Sequence, residues 1–493
     1  MKEQSKFSKV LSILLSVVLV ISSFYLLYQV IRLNVLPSKF LFPLTIGVVV
    51  LDAIFILLLV YFSKNVVSKI VCIVLTLFIC VASCMGGYYI SKTQNVLSSI
   101  TNVAKHAKST VSVIVKESSS IKNKSQLNGV SVGSLRLNEQ GSKKALKELS
   151  GEGIILNQTE YDSMTALLEA FYNGDVDSII INESSRSQIL DIEAYSNFDS
   201  NTRVVYQTSY KVKNNDSATS VSDITSKPFN VLISGSDTRG GFDENGRSDV
   251  IMIATVNPKT HTILLTSVPR DFYVTTACDA GDGCMQGALD KITHTGIHGT
   301  NTTKRTVEQL LGIEINYTFK VGFDTVTKLV DTLGGVDVYV EPGYAVHNEC
   351  INVKEGVNHL YGKEALEYAR ERYAYTEGDR QRTKNQQQVL MGIVKEATKP
   401  SVIKNYAAIM DTMANTFSTT MSNEEITDLI KYQLNNNPTW KMEQYMVDGT
   451  GDTLMCAELG DAASVMVPDQ STVKMAKDKI NAVLAGKSSE DVK

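Results

Sequence analysis

Three apolar runs open the chain, at 10–31, 40–62 and 70–90, and they constrain the fold more than anything that follows. Each is about long enough to cross the ~30 Å hydrocarbon core of a bilayer as a helix. Lipid offers no partner to an unpaired backbone group, so an isolated apolar run crosses as a helix. Asp52 is the only charged residue within the three runs. It reads either as a functional intramembrane carboxylate or as a packing contact with a neighbouring helix. A cleaved signal peptide would be one shorter run ending in small residues, and three consecutive spans argue against it.

Lys2, Lys6 and Lys9 precede the first run, and Lys64 and Lys69 lie between the second and third. The first loop carries only Arg32 and Lys39. The positive-inside rule therefore puts the N-terminus in the cytoplasm and everything after Lys92 outside the cell membrane. Residues 1–92 are the expected membrane anchor. The hydrophobic content of 43% beside 20% charge follows from that anchor, and the net charge of -4 shows no nucleic-acid footprint. Cys72, Cys80 and Cys84 fall in the third run as small packing residues. Cys278, Cys284, Cys350 and Cys456 belong to the exported part, where disulfides persist. A Gly-rich turn separates Cys278 from Cys284, which makes that bridge open to the chain; Cys350–Cys456 is the other pairing.

The exported part divides by composition. Residues 93–212 alternate helical and strand patterns, with Met164 to Tyr172 helical, a stop at Gly174 and a short strand from Ser178 to Ile181. They form an expected small α/β accessory domain with no catalytic constellation. A Ser/Asn/Asp-rich connector at 213–226 follows. From 227 to 485 strands at 229–234, 250–256, 262–268 and 336–340 alternate with helices at 303–311 and 326–333, leaving a short tail at 486–493. The expected fold class is α/β: after the membrane helices and the accessory domain comes an α-β-α sandwich on a mixed central sheet.

Within that last region arginines and acids gather at strand ends, where open α/β sheets bind ligands. The clusters are Asp237-Thr238-Arg239, Arg247-Ser248-Asp249, Pro269-Arg270-Asp271, and a run from Arg370 and Arg372 through Asp379, Arg380 and Arg382 to Gln386. Guanidinium forks suit phosphate oxygens, and carboxylates suit a hard divalent cation. A lone Arg–Asp pair is ordinarily a surface ion pair worth little. Several at strand ends point instead to a metal-assisted pyrophosphate site. Arg247 and Asp249, like Arg370 and Arg372, are two apart and converge only from extended chain. The helix from Lys363 is therefore expected to end near Ala369. The next helix starts at Gly378-Asp379, with Asp379, Arg382, Gln386 and Leu390 on one face and Asp379 as N-cap.

Lys291 offers a further phosphate contact. His294 and His298 are four apart but lack the H-E-x-x-H glutamate, and Gly296 and Gly299 weaken a helix there. No G-x-S-x-G elbow, P-loop or G-x-G-x-x-G fingerprint is present.

The ordered series Gly235-Ser236-Asp237-Thr238-Arg239, Arg247-Ser248-Asp249, Ser267-Val268-Pro269-Arg270-Asp271, Asp290-Lys291-Ile292-Thr293-His294, Gly334-Gly335-Val336 and the segment from Ala365 to Gln387 resembles the LytR–CpsA–Psr family of cell-wall glycopolymer transferases. The spans and the intervening exported domain look most like its capsule-associated branch. The resemblance implies transfer of a phosphoglycosyl chain, capsular polysaccharide or teichoic-acid-like, from a polyprenyl-pyrophosphate carrier to a peptidoglycan hydroxyl. Mg²⁺, or Mn²⁺ in its place, is the implied cofactor, and capsule-assembly proteins are implied partners. By the same resemblance Arg247, Arg270, Arg370, Arg372 and Arg382 grip the pyrophosphate, with Lys291 and Gln386 at its edge and Arg239 as a further match. Asp237 and Asp249 hold the metal, Asp379 positions arginines, and an aspartate orients the attacking hydroxyl. Competing readings are a non-catalytic receptor for lipid pyrophosphate, which needs the arginines alone, and a polyprenyl-pyrophosphate hydrolase. A transcriptional regulator would need a cytoplasmic DNA-binding module, for which the segment before the first span leaves no room.

Overall fold

The structure is a computed structural model that describes residues 6–62, 65–101, 106–136, 139–236, 244–279, 284–399, 402–413 and 417–492. It resolves into two compact units.

The first unit contains three helices long and apolar enough to cross a membrane, within Ser8–Leu33, Ser38–Phe62 and Val66–Thr101. Asp52 accepts a hydrogen bond from Ser23 Oγ at 2.9 Å, which links the second helix to the first. Two later helices, Val402–Met413 and Asn423–Asn436, belong to this unit rather than to the sheet-bearing one, which breaks the continuity expected for 227–485. Lys92 pairs with Asp411 at 2.7 Å, and Thr101 donates to Asn423 at 2.7 Å.

Among the described residues the second unit carries two large sheets and four two-stranded ribbons. Strands β1 (His106–Lys116), β2 (Ser131–Leu135), β3 (Asn157–Tyr161), β4 (Ser178–Asn182) and β5 (Thr202–Lys213) form a sheet in the order β3-β2-β4-β1-β5. β4 is buried along its whole length, as a strand covered on both faces should be. The helix Met164–Asn173 lays Leu167, Leu168 and Phe171 against it and ends at Gly174 in the left-handed region, where a residue without Cβ fits at no steric cost.

The larger sheet is built from β6 (Phe229–Ser236), β7 (Val250–Asn257), β8 (Thr262–Val268), β9 (Tyr317–Gly322), β10 (Phe417–Thr419) and β11 (Lys441–Met446), in the order β10-β9-β6-β7-β8-β11. It is mixed: β9 runs parallel to β6 and β11 to β8, while β6, β7 and β8 are antiparallel in succession. Every residue of β8 is buried. One face, with Leu232, Ile251, Ile253 and Leu264, packs on Val307 and Leu311 of the helix Thr300–Leu311 and on Val473, Ala476, Ile480 and Val483 of the helix Gln470–Leu484. The helix Asp379–Ala397 lies against β8 and β11, where Gln387 donates to Tyr445 O at 2.8 Å. Among the described residues the strand Val336–Val340 pairs only with Gly356–Leu360, as a separate ribbon over its own core.

Cys278 and Cys284 are joined by a disulfide, whereas Cys350 is exposed and Cys456 buried, both unbridged. Residues 280–283 of that ring lie outside the described residues. Serine at both positions is expected to cost about 2 kcal/mol, the loop-closure entropy of so short a ring. A urea midpoint followed by the fluorescence of Trp440, the only tryptophan, checks it.

Candidate functional site

Strand register explains why the clusters converge. Gly235 lies opposite Val250 and Ile251 opposite Val268, so the end of β6, the entry to β7 and the exit from β8 share one sheet edge. Parallel pairing of Gly322 with Ser236 and of Met446 with Ser267 brings the ends of β9 and β11 to the same edge. Arg247-Ser248-Asp249 lead into β7 as irregular chain, and Pro269-Arg270-Asp271 leave β8. Backbone bonds fix both segments: Ser248 N to Thr293 O and Asp249 N to Gly235 O, each at 2.9 Å, and Thr293 N to Arg270 O at 3.0 Å.

The side chains then meet around Asp249. Its Oδ1 accepts from Arg270 Nη1 at 2.9 Å and from Thr293 Oγ1 at 3.3 Å, and its Oδ2 faces Arg247 Nη2 at 3.8 Å. Asp379 Oδ1 lies 2.5 Å from Arg382 Nη2 and 3.9 Å from Arg270 Nε. Asp271 stands between Arg270, at 3.8 Å, and Lys291, at 3.3 Å. Arg247, Arg270 and Arg382 keep only 10%, 13% and 11% of their side chains exposed. The Nε of each is buried without a hydrogen-bond partner among the described residues. A buried donor in that state costs about 1–3 kcal/mol, so three at one place mark where an anion would be stabilised.

Burial opposes the charge on Asp249, but Arg247, Arg270 and Arg382 outweigh it and hold the carboxyl below the usual range. Burial and the like charge of Arg270 push the Arg382 guanidinium down. Asp249, Asp271 and Asp379 outweigh burial at Arg270 and hold its guanidinium above the usual range, so the repulsion within the cluster falls on Arg382.

The helix Gly362–Arg370 runs one residue past the expected end at Ala369, so Arg370 is helical and the extended chain begins at Glu371. Arg370 stacks over Phe323 at 5.4 Å, and Arg372 donates to Tyr373 OH at 2.6 Å. Gln386 donates to Ala369 O at 3.3 Å, which ties the helix Asp379–Ala397 to the end of its predecessor. Asp379 is the first helical residue rather than the N-cap, after Gly378 in the left-handed region. The core face of that helix is not the Arg382–Gln386–Leu390 row but its neighbour: Asn385 is buried because its amide bonds Tyr368 O at 3.0 Å, and Val389 follows it into the core. Arg380 pins the first turn to the sheet edge through Asp448, at 2.7 Å. Asp237 and Arg239 lie outside the described residues.

Asp249 Oδ2, ionised and only loosely faced by Arg247, has the chemistry of a hard-cation ligand. Among the described residues no group of three or more His, Cys, Asp or Glu is placed to hold a metal ion. His294 and His298 each have their own carboxylate, Asp290 at 2.7 Å and Glu458 at 2.8 Å.

Sequence reasoning missed the hydroxyls beneath the site. Ser248 Oγ bonds Ser234 Oγ at 2.9 Å and Thr303 Oγ1 at 3.0 Å, and Thr295 joins Thr303 at 2.9 Å. Serine and threonine carry no charge or periodicity to betray such a network. It also missed Asp191, which lies before β5 and forms an ion pair with Arg247.

Residues 194–482, more than half of the chain, match the LytR_cpsA_psr family. The polyisoprenyl-teichoic acid–peptidoglycan teichoic acid transferase TagU of Bacillus subtilis (strain 168) is 34% identical over 203 residues, 41% of this chain and 63% of that relative. The enzyme of the same name from Bacillus licheniformis is 32% identical over 226 residues, 46% of this chain and 70% of the relative. The crystal structure of B. subtilis TagU aligns with a TM-score of 0.40 at 28% identity, covering 52% of this chain and 97% of that one.

Proposed function

Because the chain belongs to the LytR–CpsA–Psr family, we propose that it transfers a phosphoglycosyl polymer from a polyprenyl-pyrophosphate carrier to a peptidoglycan hydroxyl and releases polyprenyl monophosphate. The polymer is a capsular polysaccharide or a teichoic-acid-like glycan. One observation carries the reading: three buried arginines, none with a hydrogen bond to its Nε among the described residues, hold a carboxylate ionised at one sheet edge. The positive-inside reading of the three spans puts that edge outside the membrane, where pyrophosphate is carried on lipid.

Arg247, Arg270 and Arg382 bind the pyrophosphate oxygens through their free Nε donors, and Lys291 and Arg372 add charge at its rim. The acceptor oxygen attacks the glycan-side phosphorus, and the bond from that phosphorus to the bridging oxygen breaks. The bridging oxygen leaves on the polyprenyl phosphate, and the acceptor's hydroxyl proton is released to solvent or to that departing phosphate. Phosphoryl transfer of this kind needs alignment and charge stabilisation more than covalent help from the protein. Asp249 orients the attacking hydroxyl, and Asp379 holds Arg382 and faces Arg270. The first turn of the helix Asp379–Ala397 adds its positive dipole end to the cradle. Asp249 and Asp237 are the proposed ligands of Mg²⁺ or Mn²⁺, which when bound neutralises phosphate charge.

The test incubates the full chain in detergent with a polyprenyl-pyrophosphoryl glycan, Mg²⁺ and peptidoglycan oligomers. A phosphodiester-linked product supports the reading. Lipid monophosphate without linked product makes the protein a hydrolase, and carrier binding with neither product makes it a receptor.

A further inference from the structure

The family match begins at residue 194, yet a carboxylate just ahead of it reaches into the arginine cluster. Asp191 ends the helix Arg186–Asp191 of the accessory region and forms an ion pair with Arg247 Nη1. The two ends of this pair sit differently. Arg247 keeps 10% of its side chain exposed and Asp191 53%.

Asp191 is delivered from a fixed base. In its helix Arg186, itself buried, bonds Glu183 through Nε at 2.6 Å and through Nη2 at 2.7 Å, and Asp199 through Nη1 at 3.0 Å. Ile189 is fully buried in the accessory core. That core is shared with the catalytic region, because Cys456, Leu459 and Val465 pack among Leu167, Leu168 and Phe171. Met164 N donates to Leu459 O at 2.9 Å. On a second side Thr110 and Lys108 of β1 both meet Glu244, which is itself buried. The accessory sheet is thus docked on the catalytic region at two places, and the backbone that carries Asp191 is anchored through Ile189 in a common core.

We propose that Asp191 is a positioning residue for the pyrophosphate site: the accessory region holds Arg247 by its Nη1 so that the buried, unpartnered Nε is presented to the carrier. The inference rests on the transferase reading above. Without Asp191 the guanidinium keeps, among the described residues, only the loose 3.8 Å approach to Asp249, and its long side chain regains rotamer freedom that the carrier must then remove. The pair touches the carrier through Arg247 alone, so its loss weakens substrate binding more than it slows the chemical step.

The experiment uses the full chain in detergent. Binding of geranylgeranyl pyrophosphate is measured by calorimetry, and KM and kcat with the glycan-bearing carrier, for wild type, Asp191→Ala, Asp191→Glu, Arg247→Ala and the double variant. Asp191→Ala is expected to raise Kd and KM about five- to tenfold, as a coupled charge pair does, with kcat changed less than about twofold. Asp191→Glu recovers most of the loss, and the double variant binds no worse than Arg247→Ala alone. Multiplying effects in the double variant, an unchanged Kd, or a tighter Kd as expected of a competing carboxylate would each overturn the proposal while leaving the transferase reading intact. A wild-type protein that binds no pyrophosphate overturns both. Asn at 191 repeats the test with the side-chain shape kept, should the alanine variant melt early.

Discussion

Asp249→Asn is expected to lower glycan transfer about 10²–10³-fold, the scale of losing one preorganised polar group from a phosphoryl or acyl transfer site. Asparagine keeps the shape and keeps Oδ1 as acceptor for Arg270 and Thr293, so the segment 247–249 stays in place. What goes is the negative charge that three arginines hold ionised. Carrier binding should move the other way, or hardly at all, because the guanidinium groups lose a competing carboxylate. A variant that binds geranylgeranyl pyrophosphate as tightly as wild type but links no glycan separates a transferase from a receptor. Equal loss of binding and transfer would refute the role given to Asp249. Retention of transfer within about tenfold would do so as well.

The charge of Asp249 is also robust to acid. Its folded carboxyl lies below the ordinary value of about 3.9, so the ion-pair contribution is complete above that pH and is lost only as pH falls through the folded value. An acid limb of transfer near pH 6 therefore belongs to some other group.

Much of this architecture was legible because it rests on local rules. The glycine stops at Gly312 and Gly334, both left-handed in the structure, ended the helices where the sequence says they must. Arg247 and Asp249, two apart, lie in irregular chain just ahead of β7, outside any helix. What local rules do not carry is partnership. The strand Val336–Val340 was readable as a strand, but its pairing with Gly356–Leu360 instead of the central sheet depends on a ribbon core elsewhere in the chain. Asn385 has the look of a solvent-facing helix residue until Tyr368 O supplies its hydrogen bond. Asp191 is one acid among many, and only docking of the accessory sheet sets it beside Arg247. The arginine clusters were visible as chemistry; which carboxylate belongs to which guanidinium is decided by strand register and docking.

A single methyl group at Gly296 is expected to damage the site nearly as much as removing a charge. Gly296 lies in the short helical stretch Ile292–His298, and its Cβ position is 2.5 Å from Gly246 O, 2.5 Å from Ser248 Oγ and 2.6 Å from Ser248 N. Two of these atoms are backbone and have little room to yield. Ser248 is buried, its N bonded to Thr293 O and its Oγ to Ser234 and Thr303. The methyl therefore displaces the segment carrying Arg247 and Asp249 from its place beside Thr293. Overpacking of this kind costs about 1–3 kcal/mol, and a displacement near 1 Å at reacting groups costs about 10²-fold in rate. Gly296→Ala should melt several degrees lower and lose transfer by about that factor. Adding Ser248→Ala relieves only one of the three contacts, so it should leave the loss in place. Full recovery in that double variant would mean that the hydroxyl alone, and not the backbone, fixes the position of Asp249.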